Sequence, residues 1–232
     1  MTEVVRIDMV SDVACPWCAI GLTTVEKAIT LTERMSGGQV SVDLHLQPFE
    51  LNPDMPEGGE EVVGYLALKY GISEQQVRIN QQRIYDRAAE VGFNFHPEGR
   101  KHVYNTFNCH RLIHWAETEH GPEAALALKK DLLAAYFTDI DNMDEASTLL
   151  DAVKSAGLDT ERAEQVLANG EYEQEVRAAQ TRYKMLGIQS VPAFILNNKF
   201  LVEGAQPVEN LAAAIQQAAK RAQDTPETPE TQ

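Results

Sequence analysis

The 232-residue sequence predicts an α/β fold interrupted by a helical insertion. Three observations carry that expectation. Residues 1–50 read strand, helix, strand. Residues 61–185 carry helical patterns with no strand signal. Residues 192–221 then return to strand, turn, strand and helix. A block of helices is thus set between two parts of one small α/β unit.

Each element has a local reason. Residues 4–10 alternate as a strand, and Asp12 to Cys15 make a turn. A helix follows over 16–35, with Ile20, Val25, Ala28, Ile29 and Leu31 as apolar positions and Ser36-Gly37-Gly38 as its stop. Residues 40–46 alternate Val40, Val42, Leu44 and Leu46, a second strand. The intervening helix rules out a tight hairpin and makes a right-handed βαβ crossover the default.

Residues 51–59 are a Pro- and Gly-rich loop. Helical patterns then cover 61–70, 74–91, 103–119, 122–137, 145–156 and 160–185. Gly71 is one stop, and Gly121 before Pro122 marks another boundary. Ser73 with Gln76 reads as a capping box. Residues 192–196 and 200–202 flank Asn197-Asn198-Lys199 as a hairpin. Gly204-Ala205-Gln206-Pro207 leads into a last helix over 208–221. The domain reading is 1–55 and 187–222 as two parts of the α/β unit, 56–186 as the inserted helical domain, and 223–232 as a disordered Thr-Pro-Glu tail.

Composition narrows the function. Apolar residues make up 44% of the chain, enough for a sizeable core. The net charge of −15 repels nucleic acid and anionic lipid. No apolar run approaches a membrane span. Residues 1–6 carry no basic-then-apolar leader pattern, so the expected compartment is the cytoplasm.

Three cysteines, Cys15, Cys18 and Cys109, are too few for a disulfide framework in a chain this long. The informative segment is Cys15-Pro16-Trp17-Cys18, where a strand ends and a helix begins. The first helical turn has free N–H groups and partial positive charge, both of which favour a thiolate. Cysteine pKa values there fall to about 3.5–7.5, from about 8.5 when free. Cys15, at the cap and more exposed, is the expected nucleophile. Cys18, one turn on and more buried, is the expected resolving thiol. Pro16 suits the first helical position, and Trp17 shapes the surface around Cys15.

Zinc is the competing reading. His110 and His114 supply an i,i+4 pair beside Cys109, but the strand–turn–helix setting suits redox chemistry better, and no metal is expected. Cys109 reads as a buried small apolar residue. His110, Phe49 and Asn108 are candidates for lining the cleft beside Cys15. Tyr136 and Phe137 read as core.

The segment from Asp12 to Gly21 resembles the active-site segment of DsbA-like oxidoreductases of the FrnE type. The likeness continues through residues 47–53, 108–112, 135–137, 187–194 and 202–207. It implies a thioredoxin-like fold with an inserted helical domain. It also implies a cis bond at Val191-Pro192 facing the redox pair, with Val191 offering its backbone to an extended substrate strand. The sequence departs from the pattern at Ala19, where an aromatic is common, and at Ser190, where glycine is common. Met9 stands where many thioredoxin-like proteins bury a carboxylate. Asp12 is a candidate for proton transfer from Cys18, although a solvated turn residue is the plainer reading.

The resulting expectation is a protein-disulfide oxidoreductase or isomerase. It exchanges a Cys15–Cys18 dithiol with protein or small-molecule thiols, as a monomer or homodimer. It needs no bound cofactor, with glutathione a possible co-substrate. Two alternatives stay open. One is a glutathione-dependent isomerase or transferase of the kappa or 2-hydroxychromene-2-carboxylate isomerase type, against which the second cysteine argues. The other is a non-catalytic binding module switched by the cysteine pair.

Overall fold

A computed structural model describes residues 2–224 of the chain. β1 (Glu3–Ser11) runs into α1 (Pro16–Met35), and β2 (Val40–Pro48) follows. β2 lies parallel to β1 in the register Ile7 to Leu44, so the expected crossover is present. After the long insertion, β5 (Ala193–Leu196) pairs antiparallel with β1, and β6 (Phe200–Glu203) pairs antiparallel with β5. The four-stranded order is β2-β1-β5-β6. Asn197 and Asn198 make the hairpin turn with φ of 49° and 54°, a conformation asparagine tolerates.

The insertion begins with β3 (Glu60–Glu61), α2 (Val62–Tyr70) and α3 (Glu74–Val91), then β4 (His102–Val103). α4 (Phe107–His120) and α5 (Pro122–Ala134) follow, and α5 continues into a π-helical turn, Ala135–Asp139. α6 (Ala146–Ser155), α7 (Thr160–Ala168) and α8 (Glu173–Met185) complete the block, and α9 (Val208–Asp224) ends the described chain. No helix among the described residues is long and apolar enough to cross a membrane.

Four details differ from the sequence reading. β3 and β4 form a two-residue antiparallel ladder inside the helical block, too short to show a period in sequence. The helix expected over 160–185 is two helices, separated where Gly170 and Tyr172 take φ of 68° and 63°. α9 extends to Asp224, into the segment expected as tail; the rest of that tail, 225–232, lies outside the described residues. The capping box is half formed. Ser73 accepts from the Gln76 N–H, while the Gln76 side chain turns to Asn80.

Strand alternation distributes the core. Val5, Ile7 and Met9 of β1 join the main cluster with α1 and α9 residues such as Leu22, Val25, Leu211 and Ile215. Val10 points the other way, into a smaller cluster with Phe49, Tyr183 of α8, Ile188 and Ala193. α5 contributes Leu128 and Leu132, and α4 contributes Leu112 and Trp115, to the main cluster. The insertion is therefore packed into the same core as the sheet, and that packing brings its side chains toward the end of β1.

Candidate active site

β1 ends at Ser11, and the chain turns so that the Cys15 N–H donates to the Asp12 carbonyl at 3.3 Å. Cys15 is the N-cap of α1, with extended backbone at φ −94°, and Pro16 occupies the first turn. Cys15 is 4% exposed, Cys18 is fully buried, and both are free thiols. Trp17, between them, is 39% exposed and stands at the surface beside the pair.

The two thiols are electrostatically unequal. Cys15 makes no capping hydrogen bond of ordinary geometry. The Cys18 thiol donates to it instead and is the largest influence lowering its pKa, against the opposing effect of burial. The N–H groups of Cys18 and Trp17, which face the mouth of the helix, favour the anion further. Cys18 moves strongly the other way, because it is buried and is the donor to Cys15. One sulfur is thus disposed to be a thiolate and the other to hold its proton.

Asp12 is not a solvated turn residue. It is fully buried. Its Oδ1 accepts from the Ala14 N–H at 3.1 Å and the Thr106 hydroxyl at 2.7 Å, and lies 3.3 Å from His110 Nε2. Its Oδ2 accepts from the Leu51 N–H at 2.7 Å. Burial alone would raise the pKa, but His110, Leu51 and Thr106 outweigh it and hold the carboxyl below its usual range. The turn before Cys15 is therefore tied to the loop after β2 and to the start of α4 by one carboxylate. A strand–turn pattern carries no trace of partners 94 and 98 residues away.

The Val191-Pro192 bond is cis, and the Cys15 thiol donates to the Val191 carbonyl at 3.6 Å. Pro192 packs on α1 at Gly21. A Cβ there would come within 2.7 Å of Pro192 Cγ. Phe49 is buried and packs with Val10 and Tyr183 in a cluster against which Val191 also packs. Asn108 is exposed and accepts from Arg111. His110 serves Asp12, and His114 meets the Tyr172 ring edge-on at 5.4 Å. Cys109 is fully buried, which pushes its pKa up to about 12. Among the described residues, no three His, Cys, Asp or Glu side chains gather as a metal-binding group.

Two cations near the site escaped the sequence reading. Arg100, between α3 and α4, donates to the Ala14 carbonyl at 2.7 Å and the Tyr136 hydroxyl at 2.9 Å. It clamps the turn before Cys15 to the insertion, and nothing in its local sequence signals this. Lys129 of α5 is 1% exposed. It did leave a signal: Ala125, Leu128 and Leu132 form an apolar stripe, and Lys129 falls on it.

Residues 6–216 match the model of the DSBA-like thioredoxin domain. Among solved structures, a probable DsbA oxidoreductase from Streptomyces coelicolor is similar at a TM-score of 0.84 and 32% identity, covering 98% of this chain and 93% of that one. A 2-hydroxychromene-2-carboxylate isomerase aligns at a TM-score of 0.64 and 12% identity, covering 94% and 98%. The cytosolic disulfide reductase DsbM from Pseudomonas aeruginosa aligns at 0.62 and 16%, covering 93% and 99%. At those identities the last two share the fold. No curated protein matches the chain.

Proposed function

The chain belongs to the family of DSBA-like thioredoxin domains, and from that premise we propose that it exchanges thiols and disulfides through Cys15 and Cys18. The observation that carries the reading is the inequality of the pair at the mouth of α1: Cys15 favoured as thiolate, Cys18 as its hydrogen-bond donor. The Cys15 thiolate attacks one sulfur of a substrate disulfide. A mixed disulfide forms, and the other substrate sulfur leaves as a thiolate. Cys18 then loses its proton and attacks Cys15 Sγ. The Cys15–Cys18 disulfide forms, and the second substrate sulfur leaves. The substrate gains two electrons and the enzyme loses them; the reverse sequence oxidises a dithiol.

The surrounding residues support this cycle. The Val191 carbonyl lies at Cys15, where an extended substrate backbone would run alongside it. Pro16 and Trp17 form the rim, and Pro192 backs the rim against α1. Asp12 holds the turn, which makes it a positioning residue in this reading. The cysteine pair is the electron carrier, so no further cofactor is required. The DsbM of Pseudomonas aeruginosa has been solved with GSH, which supports glutathione as the thiol that recycles the pair. That protein is also cytosolic, in line with a cytoplasmic setting here. The FrnE subtype and the inserted domain over 56–186 complete the proposal.

The test is reduction of insulin by dithiothreitol. Cys15→Ala is expected to abolish catalysis, and Cys18→Ala to accumulate mixed disulfides on Cys15. Wild-type turnover in the Cys15→Ala protein would overturn the assignment.

A further inference from the structure

Two buried charges of opposite sign meet at the backbone of Ala14, the residue before Cys15. The Ala14 N–H donates to Asp12 Oδ1 at 3.1 Å, and the Ala14 carbonyl accepts from Arg100 Nη1 at 2.7 Å. Asp12 is fully buried, and Arg100, in the loop between α3 and β4, is 9% exposed. Arg100 forms no ion pair with a carboxylate among the described residues. A buried cation is retained only where hydrogen bonds and nearby charge offset its lost hydration, so what surrounds this guanidinium indicates its purpose.

The insertion holds it on one side. The same Nη1 donates to the Tyr136 hydroxyl at 2.9 Å, which donates on to the His102 carbonyl at 2.9 Å. The guanidinium carbon lies 5.1 Å from the centre of the Tyr136 ring and 5.2 Å from that of Phe137, a cation–π setting. On the other side stands the Ala14 carbonyl. It shares a peptide group with the Cys15 N–H, which donates to the Asp12 carbonyl at 3.3 Å. The peptide that leads into the nucleophile is thus fixed at its oxygen by a cation and at its nitrogen by the turn. The other charged or titratable groups around Cys15 and this turn are Cys18 of α1, Asp12, Tyr70 of α2, His110 of α4 and Lys129 of α5.

We infer that Arg100 is a positioning residue for thiol exchange, supplied by the insertion: it holds the Ala14–Cys15 peptide at the mouth of α1 and offsets the buried Asp12 carboxylate, so that a thiolate can form at Cys15. The inference deepens the thiol-exchange reading above and rests on it. Ionisation of Cys15 releases one proton and leaves a second anion near Asp12, which opposes it. Like charges repel strongly where water is scarce, and a fixed cation on the adjoining carbonyl lowers that cost. A guanidinium stays charged at every pH at which a thiol titrates, so the offset is constant. Arg100 acts through the backbone of Ala14, and its hydrogen bond there fixes both the distance and the direction of its charge.

The experiment follows ionisation of Cys15 in the reduced full chain, by thiolate absorbance against pH and by the rate of alkylation with iodoacetamide, in which the thiolate displaces iodide. Arg100→Met removes the charge and the donor. Its ionisation constant is expected to fall about three- to tenfold, the low end of what a nearby opposite charge confers, because Arg100 reaches Cys15 through Ala14. Arg100→Lys keeps a charge, and since a single nitrogen makes both hydrogen bonds, an ammonium can take its place. It is expected to stay within about twofold of the wild type, an estimate on the same footing. Arg100→Met combined with Asp12→Asn removes both charges and is expected to return toward the wild-type profile, whereas a purely structural loss would deepen. Each variant is checked for cooperative unfolding, and Arg100→Gln carries the measurement if Arg100→Met disturbs folding. An unchanged profile in a folded, uncharged variant, or a Lys variant shifted as far as the Met variant, would overturn the inference. Insulin reduction that survives Cys15→Ala would instead overturn the thiol-exchange reading, and the ionisation profile would still judge Arg100.

Discussion

Gly21→Ala tests whether the placement of Pro192 matters to the chemistry. The added methyl would lie 2.7 Å from Pro192 Cγ, 3.2 Å from Pro192 Cβ and 3.4 Å from Phe194 Cζ. Carbon atoms rest at about 3.5–4.0 Å, so the proline ring must retreat by roughly 1 Å. The ring is rigid, and its displacement carries Val191 with it. The Val191 carbonyl is the group 3.6 Å from Cys15 Sγ. Alanine improves helix propensity by about 1 kcal/mol over glycine, while overpacking costs about 1–3 kcal/mol. The net loss of stability is therefore roughly 0–2 kcal/mol, a fall of no more than about 8 °C in Tm for a chain of this size. Activity should suffer more, because a misplacement of about 1 Å at a reacting centre can cost about 100-fold. Initial rates of insulin reduction at several substrate concentrations give kcat/KM, and thermal unfolding gives the stability. The expected result is a 10- to 100-fold loss in kcat/KM with a folded protein, an estimate that follows from that displacement. A folded Gly21→Ala protein with wild-type kcat/KM would refute the claim that this contact positions the Val191-Pro192 segment for the proposed reaction.

Three further outcomes follow from the same geometry. In the reduced protein near neutral pH, iodoacetamide is expected to label Cys15 while Cys18 and Cys109, whose pKa burial raises to about 12 in the case of Cys109, remain unmodified until denaturant is added; peptide mass mapping showing Cys109 labelled first would contradict this. Asp12→Asn is expected to destabilise the fold by about 1.5–3 kcal/mol near neutral pH, since its hydrogen bonds are to a charged group. The Asp12 pKa is depressed, so its contribution is present above the unfolded value of about 3.9 and is lost as pH falls through the folded one. The gap between the two proteins in denaturant titrations should narrow in acid, and a constant gap would count against a charged Asp12. His45 bridges Glu117 at 2.5 Å and Asp43 at 2.8 Å; burial lowers its pKa, but those two carboxylates more than compensate and the net shift is upward. Its stabilisation is full below about pH 6.5, the unfolded value, and is lost as pH rises through the folded one. His45→Gln should therefore cost more stability at about pH 5.5 than at about pH 9, and the opposite trend would refute the bridge.

The sequence by itself determined whatever depends on neighbours a few residues apart. The bounds of α1, the alternation of β1 and β2, the cap at Ser73 and the stop at Gly71 are local matters of period, capping and glycine freedom. The Cys15-Pro16-Trp17-Cys18 segment was legible for the same reason, because a helix N-terminus acts on side chains in its own first turn. Only the tertiary structure decided that Asp12 is buried beneath Thr106 and His110, that Arg100 holds Ala14, that Gly21 makes room for Pro192, and that Lys129 lies buried beside Ser11 and His110. Each of these meetings joins segments far apart in the chain, and the energy of a buried charge depends on every group around it rather than on its place in a repeat. A lysine on an apolar stripe stands out in the sequence, but its surroundings, Ser11 and His110 among them, become apparent only once the helix is packed.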